Sequence, residues 1–118
     1  MLAAVGRRDV DALLACFSPD ATWQNVPHPP AEGREGIRSV LAPILARSSA
    51  ARWDTVTESY HENRAWLERV DRFWIDGNEY AVRCNGVLEF DPDTGLIAEL
   101  RDYVDLGEWR DRLSAVNF

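Results

Sequence analysis

The sequence predicts an α+β domain in which helices cover one face of a curved sheet. Three observations carry this. Helical periodicity dominates the first half, period-two alternation dominates the second, and tight-turn signals separate the alternating runs. The 118 residues suit one domain spanning 1–118. Five Trp, four Phe and three Tyr supply a core and exclude intrinsic disorder.

Each element has a local reason. Met1-Leu2-Ala3-Ala4-Val5, followed by Gly6, reads as the tail of a helix already in progress, so the first helix is expected to be shortened. Asp9 caps a helix carrying Val10, Leu13, Leu14 and Phe17 at i, i+3, i+4 and i+7, and Pro19-Asp20 ends it. Residues 21–25 form a short strand. The run Asn25-Val26-Pro27-His28-Pro29-Pro30 cannot be regular, because three prolines remove donors and fix φ. A helix follows over about 34–47 through Ile37, Leu41 and Leu45, with a kink or break expected at Pro43. Strands are predicted over 52–62, 64–75, 79–90 and 96–105. Asp76-Gly77-Asn78 makes a tight hairpin turn and Asp91-Pro92-Asp93-Thr94-Gly95 a longer one. Residues 106–116 close the chain as a short helix. A meander of this kind curves into a cone with an apolar interior, a natural small-molecule pocket.

Composition excludes several functions. The net charge of −7 and pI of about 4.7 argue against a nucleic-acid footprint. All thirteen cations are Arg, so there is no Schiff-base or phosphate-loop lysine. No apolar run suits a membrane span, and the chain opens with no signal peptide. Cys16 and Cys84 read as reduced thiols of a cytoplasmic protein. The sequence holds no G-x-S-x-G, H-E-x-x-H, paired C-x-x-C or G-x-G-x-x-G. His28 and His61 are too isolated to suggest a metal, and no cofactor is expected; His61 reads as a solvated strand end.

Charge on a face that should be apolar is what stands out. Alternation places Leu67, Arg69, Asp71 and Phe73 on one face of their strand and Trp66, Glu68, Val70, Arg72 and Trp74 on the other. In the last strand Leu96, Ala98, Leu100, Asp102 and Val104 share a face. If the apolar members define the interior, Arg69, Asp71 and Asp102 are buried with them, and a buried charge must be paired. An Asp–Arg–Asp cluster meets that need, since Arg offers five donors in a fixed fork. Two readings are open at this point: an ordinary ion-pair network at a sheet edge, or a catalytic constellation. Asn25 is equally readable as a turn cap, and the tryptophans as packing residues.

Three segments resemble a known family. Thr22-Trp23-Gln24-Asn25-Val26-Pro27-His28-Pro29-Pro30, Glu68-Arg69-Val70-Asp71 and Arg101-Asp102-Tyr103-Val104-Asp105 are similar, in order and spacing, to limonene-1,2-epoxide hydrolases, within the nuclear-transport-factor-2-like (SnoaL-like) superfamily of α+β cones. The resemblance implies a mixed or antiparallel sheet whose concave face is covered by three to four helices. It also implies an epoxide hydrolase that opens its ring in one push–pull step, without a covalent intermediate. By position Asp102 is then the base that activates water, Asp71 the acid that protonates the departing oxygen, Arg69 the bridge and Asn25 the group that orients the water. A strained three-membered ether opens when the two proton transfers accompany attack. Two carboxylates in a dry pocket share one proton, which supplies an acid and a base at neutral pH.

The sequence departs from that family where Trp23 replaces a tyrosine and Leu100 replaces a tryptophan. An indole only donates. Two alternatives therefore accompany hydrolysis: a cyclase in which a substrate hydroxyl attacks the epoxide to form a cyclic ether, and a non-catalytic small-molecule-binding module. Trp23, Leu67, Phe73, Val82, Cys84, Leu88 and Val104 are the expected pocket walls, suited to a largely hydrocarbon epoxide. The apolar members of the opposite face, Trp66, Val70 and Trp74, predict a homodimer through the outer sheet, a surface this family also commonly uses.

Overall fold

The computed structural model describes residues 1–114 and 116. Four helices, α1 (Leu2–Gly6), α2 (Val10–Ala15), α3 (Gly33–Arg47) and α4 (Leu106–Leu113), accompany six strands. These are β1 (Phe17–Val26), β2 (Ala31–Glu32), β3 (Ala50–His61), β4 (Arg64–Ile75), β5 (Asn78–Phe90) and β6 (Ile97–Val104). They form one mixed sheet in the order β2-β1-β6-β5-β4-β3. The β1–β6 pair is parallel and the other four pairs are antiparallel. The fold is therefore the α+β class that the alternating second half predicts.

Local chemistry accounts for the boundaries. Asp9 caps α2 by accepting the Ala12 N–H at 3.0 Å, and Asp105 caps α4 by accepting the Glu108 N–H at 3.1 Å. The β4–β5 hairpin turns on Asp76 and Gly77, both at positive φ, the conformation that a two-residue Asp-Gly loop supplies. At the β5–β6 turn Asp91 Oδ1 accepts the Asp93 N–H at 2.8 Å, and Gly95 sits at φ +72°. Arg34 at the start of α3 donates twice to the Phe17 carbonyl, at 3.1 and 2.7 Å, and so fixes the helix over β1.

The structure differs from the sequence expectations at five places. Phe17 begins β1 instead of closing α2, and Pro19-Asp20 lies within β1. Pro19 is accommodated because the β1–β6 ladder is interrupted between Phe17 and Thr22, where a missing N–H breaks no regular pair. The two-residue β2, paired to Thr22 and Trp23, is too short to leave a periodic signal. Helix α3 runs on through Pro43 to Arg47, since one proline removes only one helical donor. Finally, a bulge at Ala98 shifts the start of β6, so buried Ile97 replaces Leu96 and Ala98 on the inner face. Asp105 likewise belongs to the α4 cap, not to the outer face of the last strand. Of the predicted closing helix, α4 covers Leu106–Leu113, and Ala115 lies outside the described residues.

The inner sheet face carries the core, with Phe17, Trp23, Leu100, Leu41, Leu45, Ala65, Leu67 and Leu88 in one cluster. The outer face is amphipathic rather than simply apolar. Arg52 lies over Trp74 and Arg64 over Trp66; Arg72 and Arg101 bridge to Asp54, Glu79 and Glu89 on neighbouring strands, and Arg101 also pairs with Glu99 on its own strand. Among the described residues no helix is long and apolar enough to cross a membrane.

Candidate active site

Strand register brings the three distant acids and bases together. Arg69 and Asp71 alternate inward on β4, and Asp102 arrives on β6, two strands away. Between them on β5 stands Gly86, paired with both Leu67 and Asp102. A Cβ built on Gly86 would lie 2.5 Å from Arg69 Nη1 and 2.8 Å from Asp102 Oδ1. The glycine leaves the space in which the guanidinium crosses β5 to reach β6.

Arg69 is fully buried, and Asp71 and Asp102 are 6% and 3% exposed. Its Nε and Nη2 donate to Asp71 Oδ1 and Oδ2, each at 3.0 Å, a bidentate fork. The same Nη2 reaches Asp102 Oδ2 at 3.1 Å and Cys84 Sγ at 3.3 Å. The guanidinium also lies over the Trp53 ring, 4.7 Å from its centroid, a cation–π contact on the remaining side. Alternation alone did not single out Trp53; pairing of β3 with β4 sets it opposite Asp71.

The charges do not balance, and that shapes the chemistry. One guanidinium faces two carboxylates, so a single shared proton makes the buried cluster neutral. Burial pushes the Asp71 carboxyl above its ordinary value of 3.8, outweighing the hydrogen bond and charge of Arg69, and the charge on Asp102 adds to the rise. Burial also works against the Arg69 charge, but the charge on Asp102 and the fork to Asp71 outweigh it and hold the group protonated. Burial, reinforced by the charge of Asp102, pushes the Cys84 thiol far up from its ordinary value, which disfavours the thiolate. The donor atoms of Asp71, Cys84 and Asp102 lie within 4.8 Å of one another. All three already hold the Arg69 cation, which occupies the place a metal ion would need.

Above the cluster lies a cavity of about 250 Å³. The sheet contributes Trp23, Asn25, Trp53, Asp71, Phe73, Val82, Cys84, Asp102 and Val104. Val40, Leu41, Pro43 and Ile44 of α3 and Leu106, Trp109 and Leu113 of α4 close it from the helical side. Asn25 is the register partner of Asp102 across the parallel pair, which carries its side chain to the same wall. Its carbonyl accepts the His28 N–H at 2.7 Å in the proline loop, which follows a cis Val26–Pro27 bond. Two of the expected walls lie elsewhere. Leu67 and Leu88 share the inner face but pack into the core and do not line the cavity. Alternation reports the face of a strand, not the position along it at which a cavity stops. The helical wall had no sequence signal beyond ordinary amphipathic spacing. Gly86 offered one, a glycine in the middle of a strand.

Residues 1–100 match the SnoaL-like domain family. The chain belongs to this family. Among solved structures it is similar to an LEH-like epoxide hydrolase from M. tuberculosis, at 23% identity and a TM-score of 0.78, covering 96% of this chain and 83% of that one. A hypothetical protein with a ketosteroid isomerase-like fold from Catenulispora acidiphila, in complex with trimethylamine, matches at 21% identity and 0.78, covering 94% and 86%. An NTF2-like protein of unknown function from Burkholderia pseudomallei matches at 17% and 0.81, covering 97% and 92%. At these identities the likeness is one of fold. The SnoaL-like chain thus has the cone-shaped scaffold, and its chemistry must be argued from its own residues.

Proposed function

We propose that this SnoaL-like protein is a cofactor-independent epoxide hydrolase acting on a compact, mainly hydrophobic epoxide. The observation that carries the reading is one buried Arg69 Nη2 holding both Asp71 and Asp102 at the floor of an apolar cavity. The cavity lies below the roughly 300–1,000 Å³ usual for small-molecule sites, which favours a small substrate.

In this reading Asp102, which lines the cavity beside its register partner Asn25, takes a proton from water oriented by Asn25. The water oxygen bonds to a ring carbon as the carbon–oxygen bond breaks. Asp71, kept protonated by burial, delivers its proton to the departing oxygen. The product is a diol. The proton gained by Asp102 returns to the pair through the shared hydrogen-bonded cluster, which restores the starting state. Trp23, Phe73, Val82, Cys84 and Val104 hold the hydrocarbon. A substrate hydroxyl in place of water would give a cyclic ether. Trp23 favours keeping this second reading, because its N–H cannot accept a proton from an attacking water. A second copy of the chain on the outer sheet face, around Trp66 and Tyr103, is the proposed partner; both side chains are exposed.

The test is turnover of a panel of monocyclic and hydroxy-bearing epoxides in isotopically labelled water, with products analysed as diol or cyclic ether. Label in the diol and none in the protein after a single turnover supports one-step hydrolysis. No turnover of any epoxide, with ligands still bound, leaves the binding-module reading.

A further inference from the structure

Hydrogen bonds hold the Arg69 guanidinium only by its edges. Nε and Nη2 donate to Asp71, and Nη2 also donates to Asp102 and to Cys84 Sγ. The angular preference of such bonds is broad, so edge contacts alone leave the flat group free to rock about its Nε–Nη2 edge. Its face is held by something else. The guanidinium carbon lies over the Trp53 ring, 4.7 Å from the centroid. Trp53 is clamped in turn, since its ring meets Trp23 and Phe73 edge-on, with centroids 5.9 and 6.2 Å apart, and the residue is 6% exposed. The β3–β4 register sets it opposite Asp71, the acid that Arg69 grips twice. Charge adds to shape. An aromatic face attracts a cation, more strongly where water is excluded, and Arg69 is fully buried. The ring thus offsets part of the cost of burying the cation, while taking none of its N–H donors and adding no charge. A carboxylate in its place would take donors and demand a further proton.

We infer that Trp53 is a positioning residue for the proposed epoxide opening: its ring face holds the guanidinium plane so that the single nitrogen Nη2 reaches both Asp71 and Asp102. Trp53 acts through Arg69 and takes no proton itself. This deepens the hydrolase reading and rests on it for the reaction, whereas the hold on the cluster can be measured without turnover. Without the ring face the guanidinium draws back from the acids, and its charge then favours the ionised form of Asp71 less. The groups that face Asp71 are Arg69 on its own strand, Cys84 from β5 and Asp102 from β6. Asn25 from β1 is neutral, and α3 and α4 bring only apolar side chains to the cavity. Arg69 pulls the Asp71 pKa down, while burial and the charge of Asp102 push it up. A looser Arg69 must therefore let it rise further.

The test compares Trp53→Leu, which removes the ring face, with Trp53→Phe, which keeps one. The Asp71 carboxyl resonance is titrated in carbon-labelled protein without substrate, and steady-state kinetics are run on the best epoxide. In Trp53→Leu the titration midpoint of Asp71 should rise by at least about half a pH unit, and in Trp53→Phe it should stay near that of the wild type. In Trp53→Leu kcat should fall at least about tenfold with KM within about threefold, and Trp53→Phe should keep kcat within about threefold. A lost packing contact would lower stability without moving the midpoint. An unmoved midpoint in Trp53→Leu, a loss confined to KM, or Trp53→Phe as impaired as Trp53→Leu overturns the inference. If Trp53→Leu does not fold, fluorinated tryptophans at position 53 decide, because successive fluorine atoms weaken the negative ring face with little change of shape. The Asp71 midpoint should then climb stepwise with fluorine number, and a constant midpoint overturns the inference as well. A midpoint that moves as described with no turnover of any epoxide by the wild type sinks the hydrolase reading and leaves the hold of Trp53 on the cluster standing. Epoxide turnover by the wild type with an unmoved midpoint does the reverse.

Discussion

Replacing Gly86 by alanine tests whether this glycine makes room for the Asp–Arg–Asp cluster. The new methyl would stand 2.5 Å from Arg69 Nη1 and 2.8 Å from Asp102 Oδ1, closer than any ordinary contact. The guanidinium cannot retreat easily, since the Trp53 ring lies 4.7 Å away on its other face and Asp71 holds it at 3.0 Å by two hydrogen bonds. Relief of about 0.8 Å is needed to reach a normal separation, and that stretches the Asp102 bond well beyond its 3.1 Å. Overpacking costs about 1–3 kcal/mol, and a partly broken buried ion pair brings the total toward roughly 3–5 kcal/mol. A displacement near 1 Å at the reacting groups lowers turnover by roughly a hundredfold. Urea unfolding and kcat/KM on the best epoxide provide the assay, with Gly6→Ala as the control. A methyl on exposed Gly6 meets only the Ala51 carbonyl at 3.9 Å and should change stability by less than about 1 kcal/mol. Wild-type stability and activity in Gly86→Ala would refute the reasoning, because the cluster would then have another place to go.

Other outcomes follow from the same geometry. Asp102→Asn keeps shape and removes the base, so it should fold and lose nearly all epoxide opening in a steady-state assay, whereas Asp105→Asn, which exchanges one good helix cap for another, should keep it. Asp71→Asn should be equally inactive, and its stability should have the opposite pH slope to a salt-bridge loss. Burial raises the Asp71 pKa, so its contribution is present below the unfolded value near 3.8 and is lost as pH rises through the folded value. Relative to wild type the Asn variant should therefore gain stability as pH climbs from about 4 toward neutrality, as read by thermal unfolding at several pH values. Arg69→Gln removes the cation that both buried acids share and should cost roughly 3–5 kcal/mol at neutral pH, with partial recovery in acid as Asp71 protonates. Cys84→Ala should keep turnover within about tenfold, since a lost wall contact is worth roughly 1–3 kcal/mol. Trp66→Glu should shift the mass measured by sedimentation from dimer to monomer at micromolar protein; a wild-type monomer would remove the proposed partner.

The class of fold and the members of the polar cluster are legible in the residue pattern. Period-two alternation marked Arg69 and Asp71 as inward residues among Leu67 and Phe73, and buried charge on an apolar face is legible wherever the pleat is regular. The residue pattern also carried the turns, because Asp-Gly and the Asp91–Gly95 run have local chemical reasons to bend. It failed where pairing interrupts the pleat. The bulge at Ala98 and the irregular ladder around Pro19 depend on what the neighbouring strand does, and no window of residues contains that. Where the cavity ends depends on how the elements dock. Docking left Leu67 and Leu88 in the core, brought Trp109 and Pro43 to the wall, set Trp53 under the guanidinium and made Gly86 the gap through which Arg69 reaches Asp102. The physical reason is that alternation assigns a face to each side chain, whereas contact across the sheet and beneath the helices is set by register and docking between segments far apart in the chain.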